Sequence, residues 1–417
     1  MTVVSNSVSL AVAVTIALAL VLVVSVSVSV TVTVTLALAL AVVLEVEVPD
    51  VEIEVQVAKS KEKGAKGAGA FTTYAVSTKT TEDVFAGTSF TVVRRYRDFL
   101  WLQSELLDRY PGVIIPPLPE KREYNKFDAF FLQYRRRGLQ KFLRTIAAHP
   151  RLARSSVTIE FLESETPLPS SKNLARDIFS KVTSFSMARL HAANLQENDE
   201  FSMAQDQLDH LSAGLKATAS GLKAQARVFV DIADVLDGFS DEATGLAELS
   251  QPPLAQWITA TGDGMYRVSL IDRELSTSVF ETFGATLGEY VRGSYLARAA
   301  LVARAEAYIK WQDTVAAGDA KRAALDKARE KPGKESAVAK LESKIDALDD
   351  KAREYQMAFD EITAGLQAEL TRFHARREVD LQHALVALTQ DSITSHQKRR
   401  AIFGSILRSL QDDNPEP

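Results

Sequence analysis

Apolar and polar residues change rhythm several times along this chain. Residues 24–41, "VSVSVSVTVTVTLALALA", alternate strictly with a period of two. Shorter alternating runs follow at "VEIEVQV" (51–57), "FTTYAVSTKT" (71–80) and "TSFTVVRRY" (88–96). The glycine- and lysine-rich "KSKEKGAKGAG" (59–69) separates the first two and reads as a loop. Short connections between such runs predict an antiparallel meander. After Asp98 the period becomes helical, through Phe99, Leu102, Leu106 and Tyr110. Prolines make "IIPPLPEKR" (114–122) extended. A second helix is predicted from Asp128 to His149, with Phe131, Leu139, Phe142, Leu143 and Ile146 on one side and Pro150 as its stop.

Beyond "TPLPSS" (166–171), a linker by composition, the pattern is helical throughout. Leu174, Ile178, Val182 and Phe185 form one stripe in a basic amphipathic segment, 171–190. Such a helix lies in a membrane interface or docks on its own protein. Three long blocks come next. In the first, Leu208, Leu211, Leu215, Leu222, Phe229, Ile232, Leu236, Phe239 and Leu246 read as one stripe, ended by "SQPPL" (250–254). The second runs loosely from Leu270 to Trp311, ended by "EKPGKE" (330–335). In the third, Leu341, Ile345, Leu348, Ala352, Tyr355, Phe359, Ile362 and Leu366 alternate steps of four and three, a heptad seam. Helices this long predict an elongated antiparallel coiled coil, with dimerisation to bury the excess apolar surface.

Charge divides the 417 residues in the same way. Residues 51–165 carry 19 Lys/Arg against 14 Asp/Glu, and the chain from Thr166 onward carries 30 against 37. A basic middle domain therefore precedes an acidic helical half, within a net charge of −5. There is no cysteine, which excludes disulfides, thiolate nucleophiles and Cys-ligated zinc. Residues 2–44 carry no charge and no flanking Lys or Arg. Low-complexity sequence or a doubtful translation start, a membrane anchor and a paired strand all remain open for residues 1–50.

The densest chemistry is "VVRRYRDFLWL" (92–102). Arg94, Arg95 and Tyr96 close a strand just before a helix begins. Arginine binds phosphate oxygens through two parallel hydrogen bonds, and a tyrosine ring offers a flat floor beside it. Lys121 follows the proline loop, and Arg135 to Arg137 open the second helix. Three segments thus point to one polyanion, against the plainer reading of a solvated arginine run. "PPLP" (116–119) carries the loop to that site or serves as an SH3 ligand. Tyr124 and Phe127 dip into a bilayer interface or fill the core. Lys321, Arg322, Lys327, Arg329, Lys331 and Lys334 mark a hairpin tip, as a membrane contact or a solvated end. "HQKRR" (396–400) has the form of a nuclear signal. The six histidines show no H-x-x-x-H spacing, and no P-loop or G-x-S-x-G occurs, so no enzyme is expected. Nucleic-acid binding is the rival for the arginines, but the acidic helices do not favour it.

"RRYRDF", "PPLPEK" and "RRRGL", in this order, resemble a phox-homology (PX) domain over about 110 residues. The resemblance implies an α+β domain, a three-stranded antiparallel sheet plus helices, that binds phosphatidylinositol 3-phosphate. Carried over, Arg95 holds the 3-phosphate, Tyr96 packs under the inositol ring, Lys121 contacts the 1-phosphate and Arg135 takes the ring hydroxyls, with Arg136 its competitor. Arg94 would support the fold or the membrane-facing surface, and Arg97 adds a charge. The helical half resembles an all-α BAR domain, a dimeric three-helix coiled coil. "LGEYVR" (287–292), "YIKWQD" (308–313) and "ELTRFHARREVD" (369–380) are similar to the retromer-associated PX–BAR sorting nexins. The domains would be 51–165 (PX), 166–190 (linker and amphipathic helix) and 191–412 (BAR). The resemblance implies a peripheral coat protein on the cytosolic face of early endosomes that senses or induces curvature. Its partners would be phosphatidylinositol 3-phosphate and acidic membrane, a homodimer or a heterodimer with another PX–BAR sorting nexin, and retromer as a further candidate. No cofactor and no nucleic acid is implied. A scaffold without membrane remodelling is the other reading.

Overall fold

The computed structural model describes residues 51–61, 71–120, 129–169, 200–330 and 335–412. Residues 1–50, Lys121, Tyr124, Phe127, Lys331, Lys334 and the bridge stripe of Leu174, Ile178, Val182 and Phe185 lie outside the described residues.

The alternating runs form one antiparallel sheet in the order β1 (Val51–Lys61), β2 (Phe71–Thr80), β3 (Ser89–Arg95). Alternation places Ile53, Tyr74, Val76 and Val92 in the core, while Thr91 and Val93 face outward. Strand β1 runs four residues past the predicted end at Val57. After a register shift at Val57/Lys59, Lys59, Ser60 and Lys61 pair with Thr73, Thr72 and Phe71. A ladder partner on β2 outweighs the local composition that reads as loop.

Helix α1 (Tyr96–Arg109) follows β3 without a connecting residue. The Asp98 carboxylate accepts the Arg95 backbone N–H at 2.7 Å and fixes this abrupt turn. Its inner face is Phe99, Leu102 and Leu106, all fully buried. Helix α2 (Ala129–Ala147) adds Leu139, Phe142, Leu143 and Ile146. The short α3 (Pro150–Ala153) is capped by the His149 ring, whose Nδ1 accepts from the Arg151 and Leu152 N–H groups. Helix α4 (Ser156–Glu163) completes the module. The Phe99 ring sits among Phe161 at 5.1 Å, Tyr74 at 6.2 Å and Phe142 at 6.5 Å between centroids. Leu168 is buried in the same core, so the stretch that reads as a linker begins inside the domain. Its proline-rich composition hides one apolar anchor.

The helical module contains α5 (Glu200–Glu248), α6 (Leu254–Val279), α7 (Ala285–Arg329) and α8 (Glu335–Asp412). A π-helical turn, Phe280–Gly284, joins α6 and α7 into one rod. Helix α5 packs along α6 and α7, and α8 along α7 and α6. The result is a three-rod antiparallel coiled coil. Helix α8 has 78 residues. At 1.5 Å per residue it is roughly 120 Å long. Its heptad seam faces inward, with Ile345, Phe359, Leu366, Leu370 and Phe373 all buried. None of the described helices is long and apolar enough to cross a membrane.

The stripe expected on α5 is in fact two. Leu208 and Leu215 are buried in the bundle, with Leu222, Phe229 and Leu236 partly covered. Ile232, Phe239 and Leu246 face solvent instead, together with Val228, Val235 and Leu249. Both sets keep a seven-residue repeat, but on different sides of the helix, and a step count does not separate them. Phe99→Ala should lower stability by about 3–5 kcal/mol, because it removes the ring that three others pack on. Urea unfolding monitored by tryptophan fluorescence checks this.

Candidate anion-binding site and its mounting

The junction of β3 and α1 sorts neighbouring arginines by the pleat of the strand. Arg94 points inward and is 3% exposed. Its Nε and Nη2 donate to the Phe161 carbonyl at 2.9 and 2.6 Å, and Nη2 also to Ser164 O at 2.5 Å. Arg94 is thus an internal strut that satisfies the end of α4. Arg95 points the other way and is exposed, as is Arg97.

Tyr96 opens α1 and is partly buried. The Arg135 guanidinium of α2 lies 4.7 Å from the centroid of its ring. Contact at that distance is a cation–π pair. Burial pushes the Tyr96 hydroxyl up to about 12, against the positive charges of Arg135 and Arg292. It therefore stays a neutral donor, and it donates to Pro119 O at 2.6 Å. The structure brings Tyr96 and Arg135 into contact, with Arg135 only 7% exposed, while Arg95 is exposed beside Tyr96 in the chain; Lys121 is outside the described residues. Arg136 hydrogen-bonds Gln133 and Gln140 along its own helix, at 3.0 and 3.1 Å.

The proline loop closes the site. Gln103 Nε2 donates to Pro116 O at 2.8 Å. Pro116, Leu118 and Pro119 are buried, so the motif is not presented as an SH3 ligand. The loop's other side meets the helical module. Arg292 of α7 donates from Nε to Leu118 O at 3.0 Å and lies 3.3 Å from Glu120 Oε1. The Ile114 N–H donates to Glu369 Oε2 of α8 at 3.2 Å. His149 Nε2 meets Glu369 Oε1 at 2.9 Å, and Arg372 binds the same oxygen. Since His149 Nδ1 accepts from the α3 backbone, Nε2 carries the proton toward Glu369.

A second cluster lies farther along the same interface. Lys141 pairs with Glu289 at 2.9 Å and Asp380 at 2.7 Å, and Tyr290 Oη donates to Asp380 at 2.5 Å. Burial lowers the Lys141 pKa, but the two carboxylates more than restore it, so it rises. Two glycines permit close packing, one between the modules and one within the rod. Gly112 has φ +86°, and a Cβ there would stand 2.7 Å from Ile362 of α8. A Cβ on Gly293 would stand 3.1 Å from Phe373.

The remaining basic residues stand apart from this site. Lys321, Arg322 and Lys327 are exposed near the end of α7. Arg322 is already paired with Asp319 and, across the hairpin, with Asp349; Arg329 pairs with Glu342. In "HQKRR", Lys398 pairs with Glu274 and Arg399 with the buried Asp272. Those two charges join α8 to α6.

A small three-stranded α+β module docked on a long three-helix rod defines a PX–BAR protein. Residues 82–165 match the PX domain family, and residues 175–408 match the family described as Vps5 C terminal like. The second match covers more than half of the chain, which belongs to the Vps5-type PX–BAR sorting nexins. Vacuolar protein sorting-associated protein vps5 of Schizosaccharomyces pombe is 28% identical over 352 residues, 78% of this chain and 60% of that protein. The chain therefore spans less than two thirds of that relative. Sorting nexin-1 of Rattus norvegicus is 24% identical over 370 residues, 80% of this chain and 67% of the relative. The cryo-EM structure of the SNX-BAR Mvp1 tetramer has the same fold, with a TM-score of 0.61 at 17% identity over 85% of this chain and 99% of that one.

Sequence reasoning missed Arg292, Glu369 and His149 as docking residues. Their signal was available: 287–292 and 369–380, two of the segments that carry the family resemblance, are the ones lying against the proline loop and α2. Burial raises the Glu369 pKa, but hydrogen bonds from His149 and Arg372 outweigh it and hold the carboxyl below its ordinary value. Its contribution to stability is therefore present above the unfolded value, about 4.3, and is lost as pH falls through the lower folded value. Urea midpoints measured from about pH 6 down to about pH 3 should fall more steeply for the parent than for Glu369→Gln.

Proposed function

We propose that this chain is a peripheral membrane coat protein of the endosome that binds phosphatidylinositol 3-phosphate and acts on curved membrane as a BAR dimer. The observation that carries the proposal is the Arg135 guanidinium 4.7 Å from the centroid of the Tyr96 ring, which follows the exposed Arg95 in the chain. Arg95 is exposed at the strand–helix junction, where it can fork onto a phosphate. The Tyr96 ring, backed by Arg135, supplies a rigid apolar floor for an inositol ring. Arg135 takes the ring hydroxyls, and Lys121, one residue beyond the described loop, takes the 1-phosphate.

The outward strip on α5 supports dimerisation. Val228, Ile232, Val235, Phe239, Leu246 and Leu249 are each 44–86% exposed and step by threes, fours and sevens. A strip of that spacing suits a second helix. The dimer is made with a second copy or with another PX–BAR sorting nexin. Two headgroup sites on one dimer raise avidity well beyond a single weak site. The bridge stripe of Leu174, Ile178, Val182 and Phe185 wedges the outer leaflet, and Lys321, Arg322 and Lys327 add contacts at the rod tip. The product is a tubule that carries cargo away from the endosome, with retromer as the cargo-selecting partner.

Flotation with vesicles containing phosphatidylinositol 3-phosphate tests the headgroup reading. Arg95→Ala should weaken binding roughly 10- to 100-fold, the loss of one charge-assisted contact pair. Equal flotation on vesicles of the unphosphorylated lipid would overturn it. At concentrations where the parent floats completely, it should also draw vesicles into tubules; binding without deformation would leave only a scaffold. The double variant Val235→Glu and Phe239→Glu should sediment as a monomer at concentrations where the parent is dimeric.

A further inference from the structure

The proline loop, residues 114–120, belongs to both modules. From the PX side, Tyr96 Oη reaches Pro119 O at 2.6 Å and Gln103 reaches Pro116 O at 2.8 Å. From the BAR side, Arg292 holds Leu118 O at 3.0 Å and Glu120 at 3.3 Å. The residue that Tyr96 leans on thus lies between the two residues that Arg292 grips. Lys121 is the next residue in the chain. The loop is thus held by Tyr96 and Gln103 from within the PX domain and by Arg292 from outside it.

The grip depends on the shape of the side chain. A guanidinium presents several donors in a fixed plane, so Arg292 can serve a carbonyl and a carboxylate at once. A lysine keeps the charge but presents a single ammonium on a flexible stem. It cannot hold both acceptors in the same geometry. The neighbouring contacts narrow the loop's freedom further, since Glu369 fixes its first residue at Ile114.

We propose that Arg292 is a positioning residue of the headgroup site. By holding Leu118 and Glu120 from helix α7, it makes headgroup binding and docking of the two modules favour each other. This rests on the phosphoinositide reading given above. Coupling of this kind is reciprocal. Whatever Arg292 contributes to affinity, bound headgroup must return as tighter docking of α7 against the loop.

The test uses the full chain and water-soluble, short-chain phosphatidylinositol 3-phosphate, titrated by calorimetry into the parent, Arg95→Ala, Arg292→Ala and Arg292→Lys. Both Arg292 variants should bind roughly 5- to 20-fold more weakly, with unchanged helical circular dichroism. Hydrogen exchange supplies the readout that a merely structural role would not move. Ligand should slow exchange of the loop and of residues 287–293 in the parent, but not in Arg292→Ala. Parent-like affinity in Arg292→Lys would reduce the role to charge alone and overturn the proposal. So would ligand binding that leaves exchange in α7 untouched. If Arg292→Ala loses its helical signal, Arg292→Lys and Glu120→Gln decide the matter by the same criteria. Binding that depends on Arg95 but ignores Arg292 would sink this inference alone. Absence of Arg95-dependent binding in the parent would sink the headgroup reading and this inference with it.

Discussion

One buried carboxylate fixes how the two modules meet. The Glu369 side chain is only 5% exposed, and removing a carboxylate from water costs several kcal/mol unless its oxygens are fully bonded. Here Oε2 accepts from the Ile114 backbone, and Oε1 accepts from His149 and Arg372. Each donor is locked by its own element. Ile114 opens the proline loop, His149 caps α3 through its other nitrogen, and Arg372 sits one turn along the same helix. A sliding or rotated docking would leave the buried carboxylate with Arg372 alone and Oε2 without its donor, which favours this register. The position of the β3–α1 junction relative to the rod follows from that register.

The charge split along the chain takes on a second meaning in this light. A basic domain followed by an acidic one suggests a partner or a surface for each. In the folded chain part of that imbalance is internal. Lys141 meets Glu289 and Asp380, and Arg151 meets Glu361 at 2.9 Å. The pairs deeper in the interface constrain geometry more than they stabilise, and the exposed Arg151 pair is worth little. What is left exposed on the PX side, Arg95 and Arg97 among it, is what an anion meets first.

The fold was largely legible because its periods are local. Period two in 71–80 and 88–96, period 3.6 in α1 and α2, and the heptads of α8 each record which side of an element is buried. The proline and glycine breaks at 250–254 and 330–335 separated the rods. Errors arose where a distant partner decides. Lys59 to Lys61 join the sheet because β2 offers a ladder, and Leu168 is buried because a core happens to reach it. The two strips of α5 merged into one because both repeat every seven residues. Of the candidate site, Arg95, Tyr96 and Arg135 were named from motif spacing and family resemblance, and the structure shows one contact among them, Arg135 against the Tyr96 ring. The clamp on their loop was not so named, since no spacing relates Leu118 to Arg292 or Ile114 to Glu369.

The sequence by itself determined the elements, their order, the two-domain class and the cluster of arginines around one tyrosine. These rest on side-chain periodicity and backbone preference, which act over a few residues. Only the tertiary structure decided which arginine is a strut and which faces solvent. It also decided that most of "PPLP" is buried and that helix α7 of the BAR domain holds the proline loop of the PX domain. Those outcomes depend largely on hydrogen bonds between residues 67 to 255 positions apart. Such bonds exist only after packing has chosen which carbonyls and carboxylates lose their water.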